Sequence, residues 1–392
     1  MNSILSKRSA IILLILLLSL FYMAATSKEA SAARQTKEWI FLSDTSTVPP
    51  ASFIPPAMWW DSGPNNWDWP GSKVTSGDFN GDGLTDVAVL YGYKTTRQSR
   101  LWVFISGGSF EAPTMWWDSG PNNWDWEGSM LTSGDYDDDG VDDVGVLYGY
   151  TSTRQTRAFV FTSNGATAFN PPTAWWDSGP NNWDQHGSKL TSADFTGDGA
   201  DDMGVLYGYQ TTRQSKAWIF NSDTATASFN PPTQWWDSGA NNWDWDGSKL
   251  TSGNYDGTST ADMAVLYGYA TTRQTKAWVF TADTATVPPT AFNTPAEWWD
   301  SGPNNWDWPG NKLTSGDFTG DGTDDMGVLY GYKTTRQSKA WIFTSDSTDT
   351  FNPPTQWWDS GANNWDWDGS KLTSGDYNGD GASDFNTLYG YQ

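Results

Sequence analysis

The sequence predicts an all-β fold, a six-bladed β-propeller of four-stranded antiparallel blades, on three observations. A block reading W-W-D-S-G-[P/A]-N-N-W-D begins at Trp59, Trp116, Trp175, Trp235, Trp298 and Trp357, with starts 57, 59, 60, 63 and 59 residues apart. One supersecondary unit is therefore copied six times. The apolar stretches of each unit are short, rich in Val, Leu, Ile, Trp, Phe and Tyr, and bounded by Gly, Asn, Asp, Pro and Thr, which is strand and turn chemistry. The chain is also permuted relative to its own repeat, and this separates a closed ring from a linear β-solenoid.

The first unit shows the elements in order. Strand A is expected at Gly71–Gly77, followed by the acidic loop Asp78–Asp86; strand B follows at Val87–Tyr93, the polar link Lys94–Gln98 comes next, and strand C lies at Leu101–Phe104. Strand D is the W-W-D-S-G segment. Four strands of this size, repeated four to eight times, specify propeller blades. The last copy stops at Leu388–Gln392, just after strand B, whereas Arg34–Phe41 matches Arg273–Phe280 at the entry to strand C. A linear array would leave two incomplete sheets with open edges. In a ring, residues 36 to 69 complete the blade begun by residues 368 to 392.

Residues 1–32 read as a secretory leader rather than as part of this core. Lys7 and Arg8 precede an apolar run from Ala10 to Ala25, and Ala30-Ser31-Ala32 supplies small residues for cleavage before Ala33. The run is short for a retained membrane span. Residues 33–392 are then expected to form a single extracellular propeller, with no membrane insertion once the leader is removed. The formal charge of −24 argues against nucleic acid and anionic membranes as partners. Without cysteine, an exported chain is held by packing or by metal.

The acidic loop supplies a metal reading. In D-x-[D/N/T]-x-D-G-x-x-D, side-chain oxygens at positions one, three, five and nine converge on one hard cation, with a backbone carbonyl at seven and Gly at six for the turn. An all-oxygen set selects calcium. Five copies qualify: Asp78, Asn80, Asp82 and Asp86; Asp135, Asp137, Asp139 and Asp143; Asp194, Thr196, Asp198 and Asp202; Asp317, Thr319, Asp321 and Asp325; Asp376, Asn378, Asp380 and Asp384. Copies with Thr at position three are expected to bind more weakly. The fourth copy, Asn254–Asp262, lacks two carboxylates and the turn glycine, so no metal is expected there. Asp-Gly pairs alone would make hairpin turns, but such turns need none of the further carboxylates.

The repeated D-F-N-G-D-G-x-x-D loop between short strands resembles the FG-GAP/VCBS repeat family, and nearly the whole chain after the leader shares the pattern. The resemblance implies a calcium-stapled β-propeller like the integrin α-chain head and a set of propeller lectins. The W-W-D-S-G-P-N-N-W-D-W insert looks like repeats of secreted bacterial members. The phenylalanine-glycine and glycine-alanine-proline signatures of the family name are not literally present.

Function is expected on the faces of the ring. The A–B and C–D loops share one face; the D–A loops (G-P-N-N-W-D-W) and B–C loops (T-T-R-Q) share the other. That second face offers Trp67, Trp124, Trp183, Trp243, Trp306 and Trp365 with Arg97, Arg154, Arg213, Arg273 and Arg336. Aromatic rings stack on sugars while Asn, Asp and Arg bond hydroxyls, so glycans or polysaccharides are the expected partners, bound multivalently. The structural alternative is that these tryptophans are core residues, that Asn65 and Asn66 satisfy a tight loop, and that Arg97 pairs with a neighbouring Asp. In the W-W pair, strand alternation predicts one ring in an inter-blade layer and one outward. A protein-binding or adhesive scaffold at the cell surface is the second functional reading, resting on fold analogy. An enzyme is not expected: His186 is the only histidine, cysteine is absent, and near-identical repeats suit repeated binding better than one asymmetric site.

Overall fold

The computed structural model describes residues 34–346 and 349–391; the expected leader lies outside them. Among the described residues, six four-stranded antiparallel sheets form in the predicted order. Blade 1 comprises strand A Ser72–Gly77, strand B Asp86–Tyr93, strand C Gln98–Phe104 and strand D Thr114–Asp118. Blades 2 to 5 repeat it, with their A strands at Ser129–Gly134, Ser188–Ala193, Ser248–Gly253 and Asn311–Gly316. Strand B is buried along most of its length because a neighbouring blade covers each of its faces, and it therefore reads as a near-continuous apolar run. Strand C alternates half-buried and buried positions, as a period of two requires.

Blade 6 joins the chain ends. Its order is Ala57–Asp61, Gln35–Phe41, Asp384–Tyr391 and Ser370–Gly375, and Gln35 to Phe41 pair residue by residue with Tyr391 to Phe385. The N-terminal strands thus close the ring as the permutation requires. A belt of backbone hydrogen bonds crosses every seam on the acidic-loop side: Asp142, Asp201, Ala261, Asp324, Ser383 and Thr85 N–H groups donate to the carbonyls of Asp78, Asp135, Asp194, Asn254, Asp317 and Asp376. The last of these links runs from blade 1 back to blade 6. Nearer the axis, hydroxyl pairs such as Thr75–Ser133 and Thr132–Ser192 tie adjacent A strands, 2.6 and 2.8 Å apart.

Among the described residues the core is divided among six hydrophobic clusters, each built from two neighbouring blades. One joins Leu90, Leu101 and Val103 of blade 1 to Val144, Val146 and Phe161 of blade 2. The W-W pair departs from the expected alternation. A register shift between Leu101 and Trp102 sets Trp117 opposite Leu101 and Met115 opposite Trp102, leaving Trp116 as the extra residue of a bulge. Both rings consequently turn onto the next blade, Trp116 against Phe169 and Trp117 against Phe161 and Trp124.

Candidate functional site

On one face, each acidic loop wraps around its first carboxylate. Asp78 accepts hydrogen bonds from the N–H groups of Gly81, Asp82 and Gly83, and Asn80 Oδ1 accepts from Asp82 N–H. Gly81 and Gly83 sit at φ of 74° and 87°, where a side chain would be strained. Asp194 and Asp376 are held in the same way by Gly197, Asp198 and Gly199 and by Gly379, Asp380 and Gly381. Asp317 accepts from Asp321 and Gly322 N–H groups, with the Thr319 hydroxyl 3.4 Å away. In the second loop, carboxylate oxygens of Asp135, Asp137 and Asp139 lie within 4.8 Å of one another.

The ninth-position aspartates open strand B and are buried. Asp86 accepts 2.8 Å from Ser106 N–H through Oδ1, while its Oδ2 has no partner; Asp143 does the same with Ser163. Burial, with like charge from Asp82 and Asp78, pushes Asp86 up to about 7. Burial pushes Asp143 up to about 9, Asp325 and Asp384 up to about 8, and Asp202 well above its ordinary value. The unpartnered, desolvated Oδ2 atoms of Asp86 and Asp143, beside the other carboxylates of their loops, belong to donor sets that fit a hard cation, whereas Oδ2 of Asp202, Asp325 and Asp384 accepts from the N–H groups of Thr196, Phe318 and Tyr377. In the fourth copy, Asn254 Nδ2 instead donates to Thr258 O, and the Thr258 and Thr260 hydroxyls bond each other, so the loop closes on itself.

The opposite face corrects the expectation for the first loop tryptophan. Trp67, Trp124, Trp243, Trp306 and Trp365 are only 9, 8, 8, 9 and 7% exposed, and Trp183 packs half-buried against its cluster. Trp67 is ringed by Trp60, Tyr91, Trp102 and Phe104 at centroid distances of 5.3, 4.9, 5.9 and 6.0 Å, and its Nε1 donates to Ser72 Oγ at 2.9 Å. Its faces are covered by aromatic edges and cannot stack on a sugar. Asn66 likewise serves the loop, donating to Ser62 O, and Asn65 takes φ of 62°.

The arginines do reach the surface. Arg97, Arg154, Arg213, Arg273 and Arg336 all hold left-handed backbone, φ 47°, 47°, 47°, 48° and 45°. Glycine or asparagine would adopt it more cheaply. Four of these side chains reach an aspartate across the seam: Arg97 lies 3.9 Å from Asp125, Arg154 3.8 Å from Asp184, Arg213 3.8 Å from Asp244 and Arg336 3.6 Å from Asp366. Arg34 fills the same role for blade 6, 3.4 Å from Asp68.

Beside these pairs lie the second loop tryptophans, which stand outside the candidate residues named from the sequence. Trp126 Nε1 donates to Leu90 O of the preceding blade, and Trp245 and Trp308 to Leu206 O and Leu266 O. The glycine of each Y-G-Y makes room: a Cβ on Gly268 would fall inside Trp308, and one on Gly208 inside Trp245. The signal was available, since Gly and Trp recur at matched positions of adjacent copies. Together they build pockets across the seams. The largest of those described on this face, about 540 Å³, is lined by Arg213, Asp244, Tyr267, Tyr269, Arg273, Asp307 and Trp308, among others. A smaller one holds Tyr93, Arg97, Asp125 and Trp126.

Residues 78–146 match the FG-GAP-like repeat family. No curated protein sequence matches the chain. Its fold is similar to that of an Agrocybe aegerita lectin described as recognising non-reducing terminal N-acetylglucosamine, at 15% identity over 84% of this chain and 91% of that one, TM-score 0.53. The six-bladed Aleuria aurantia lectin, described with a fucose recognition mode, aligns at 11% identity over 83% and 92%, TM-score 0.46. Identity at this level carries the fold and not the ligand. The chain is thus a six-bladed β-propeller whose ring is closed by its own N-terminal strands and which bears FG-GAP-like repeat sequence at residues 78–146.

Proposed function

We propose that this chain is a secreted, calcium-stabilised binding module that takes carbohydrate in the seam pockets of its D–A/B–C face. The observation that carries the reading is the pocket bounded by Tyr267, Tyr269 and Trp308 together with Arg213, Arg273, Asp244 and Asp307. Aromatic carbon lies beside fixed donors and acceptors, the combination that a pyranose presents in reverse. Left-handed arginine at every B–C loop supports it, because a merely structural turn would take glycine at lower cost. Repetition around the ring makes weak single contacts into tight attachment to a polymer. At the third seam Gln185 and His186 replace the turn tryptophan and its neighbour, so that seam lacks the indole and keeps only Tyr148 and Tyr150 as aromatic surface. His186 lies 3.2 Å from Asp184 with its side chain 67% exposed, the setting of a surface residue rather than a general base, and the role proposed is binding rather than catalysis.

Calcium would be held by the five oxygen sets at Asp78–Asp86, Asp135–Asp143, Asp194–Asp202, Asp317–Asp325 and Asp376–Asp384, supplying the positive charge those carboxylates otherwise lack. The leader pattern at residues 1–32 supports export.

The test is a glycan array, with N-acetylglucosamine- and fucose-terminated glycans among the probes, followed by retention on polysaccharide beads. Binding should fall at least tenfold in Trp308→Ala and in Arg273→Ala without loss of fold. A folded variant carrying Trp69→Ala, Trp126→Ala, Trp245→Ala, Trp308→Ala and Trp367→Ala together that binds as the parent does removes the reading. Saturable capture of a protein partner, insensitive to sugar, would replace it with the adhesive-scaffold alternative.

A further inference from the structure

The second residue of each A strand lies at the axial mouth on the pocket face, and it is Lys73, Met130, Lys189, Lys249, Lys312 and Lys371 in turn. The three residues that follow line the axial channel, about 310 Å³. Each ammonium reaches over the turn tryptophan of the next blade: Lys73 over Trp126 at 4.4 Å, Lys189 over Trp245 at 3.9 Å, Lys249 over Trp308 at 4.7 Å, Lys312 over Trp367 at 4.5 Å and Lys371 over Trp69 at 4.4 Å. Lys73, Lys249 and Lys371 also donate to the edge carbonyls of Ser129, Asn311 and Ser72.

The compensation of these charges is uneven. Glu127 stands near Lys73, Asp246 near Lys189 and Asp368 near Lys312. At the equivalent turn position opposite Lys249 and Lys371 stand Pro309 and Pro70. The charges acting on these two are other lysines, Lys312 and Lys189 on the first and Lys312 and Lys73 on the second. Burial and this repulsion bring both down to about 8. Three consecutive blades thus present a cationic arc, Lys249, Lys312 and Lys371, with a single nearby carboxylate, in a chain whose formal charge is −24. Capping edge carbonyls does not explain the arc, because the same strand position carries Met130 at another seam.

We propose that this arc is an anion site that takes one tetrahedral divalent oxyanion, a sulfate or phosphate group, at the axial mouth. An ammonium carries three donors, and Lys249 and Lys371 each spend one on a carbonyl, leaving donors for ligand oxygens. The ligand's negative charge relieves the repulsion that Lys312 exerts on Lys249 and on Lys371. The group can come from the free ion or from an ester on a saccharide. The site stands whether or not the seam pockets bind sugar.

Isothermal titration with sodium sulfate and with glucose 6-sulfate tests it, against chloride at constant ionic strength and constant calcium. One saturable site per chain is expected, weakened at least tenfold in the Lys249→Met/Lys371→Met variant. Methionine already occupies this ring position at Met130, so the fold should accept it; if the double variant does not fold, Lys312→Met gives the same readout. Tighter binding of inorganic sulfate identifies a free ion, and tighter binding of the ester identifies a sulfated saccharide; either supports the site. Absence of saturable binding by both probes, or wild-type affinity in the folded variant, overturns it.

Discussion

Glu38 occupies a position where blades 1 to 5 carry Leu101, Ala158, Ala217, Ala277 and Ala340. It is fully buried, neither carboxyl oxygen has a hydrogen-bond partner, and burial raises its pKa well above the ordinary value, with Asn386 alongside easing the shift. A carboxyl raised on folding binds more protons in the native state than in the unfolded chain. Its presence therefore lowers stability progressively as pH climbs from about 4.5 toward its folded pKa. Glu38→Gln should raise the unfolding free energy at pH 7 by about 1–3 kcal/mol, and the difference from wild type should vanish near pH 4. Equal gains at both pH values in denaturant titrations would show that the charge is not the cause. Glycine at Y-G-Y has a steric reason instead. Gly208→Ala drives a methyl into Trp245 and should cost about 1–3 kcal/mol, whereas Gly107→Ala, which meets nothing within 4 Å, should be close to neutral by the same melt.

At the scale of the element, the D–A segment divides its tryptophans between two tasks. The bulge in strand D and the first loop tryptophan belong to the core, while the second loop tryptophan bridges the seam at the surface. Trp124→Ala should therefore act as a cavity mutation, lowering stability by about 3–5 kcal/mol. Trp308→Ala should lower glycan retention with a smaller effect on melting. Measuring both quantities for both variants separates the roles, and the reverse pattern would restore the first tryptophan as the ligand residue. Sequence spacing could not distinguish the two. They stand two residues apart in the same polar loop, and only the packing of Trp60, Tyr91, Trp102 and Phe104 around Trp67 reveals which one is covered.

Across the whole molecule the two faces differ in charge and in task. Acidic loops and their backbone belt ring one face; arginines, seam pockets and axial lysines occupy the other. If calcium neutralises the acidic loops, its binding free energy adds to folding stability by linkage. A chelator in excess should then lower the melting temperature, and returning calcium should restore it; identical melts with and without chelator would exclude the metal. Closure makes a separate demand. Deleting residues 34–62 removes strands C and D of blade 6, baring the edge of Asp384–Tyr391 and the aromatic side chains of both flanking clusters. That deletion should aggregate, and a soluble monomer with unchanged melting would mean that the ring does not depend on its seam.

The sequence by itself determined the propeller, its six blades, the strand order within each and the closure by the N-terminus. All of these follow from period, turn chemistry and permutation, which are properties of order along the chain. It also placed the acidic loops and arginines on opposite faces, because strand direction alternates. Only the tertiary structure decided which tryptophans are covered, since burial depends on what the next blade brings. The bulge that turns both rings of the W-W pair inward was also decided there. So was the meeting of Lys249, Lys312 and Lys371, which are about sixty residues apart in the chain and become neighbours only when consecutive blades pack side by side.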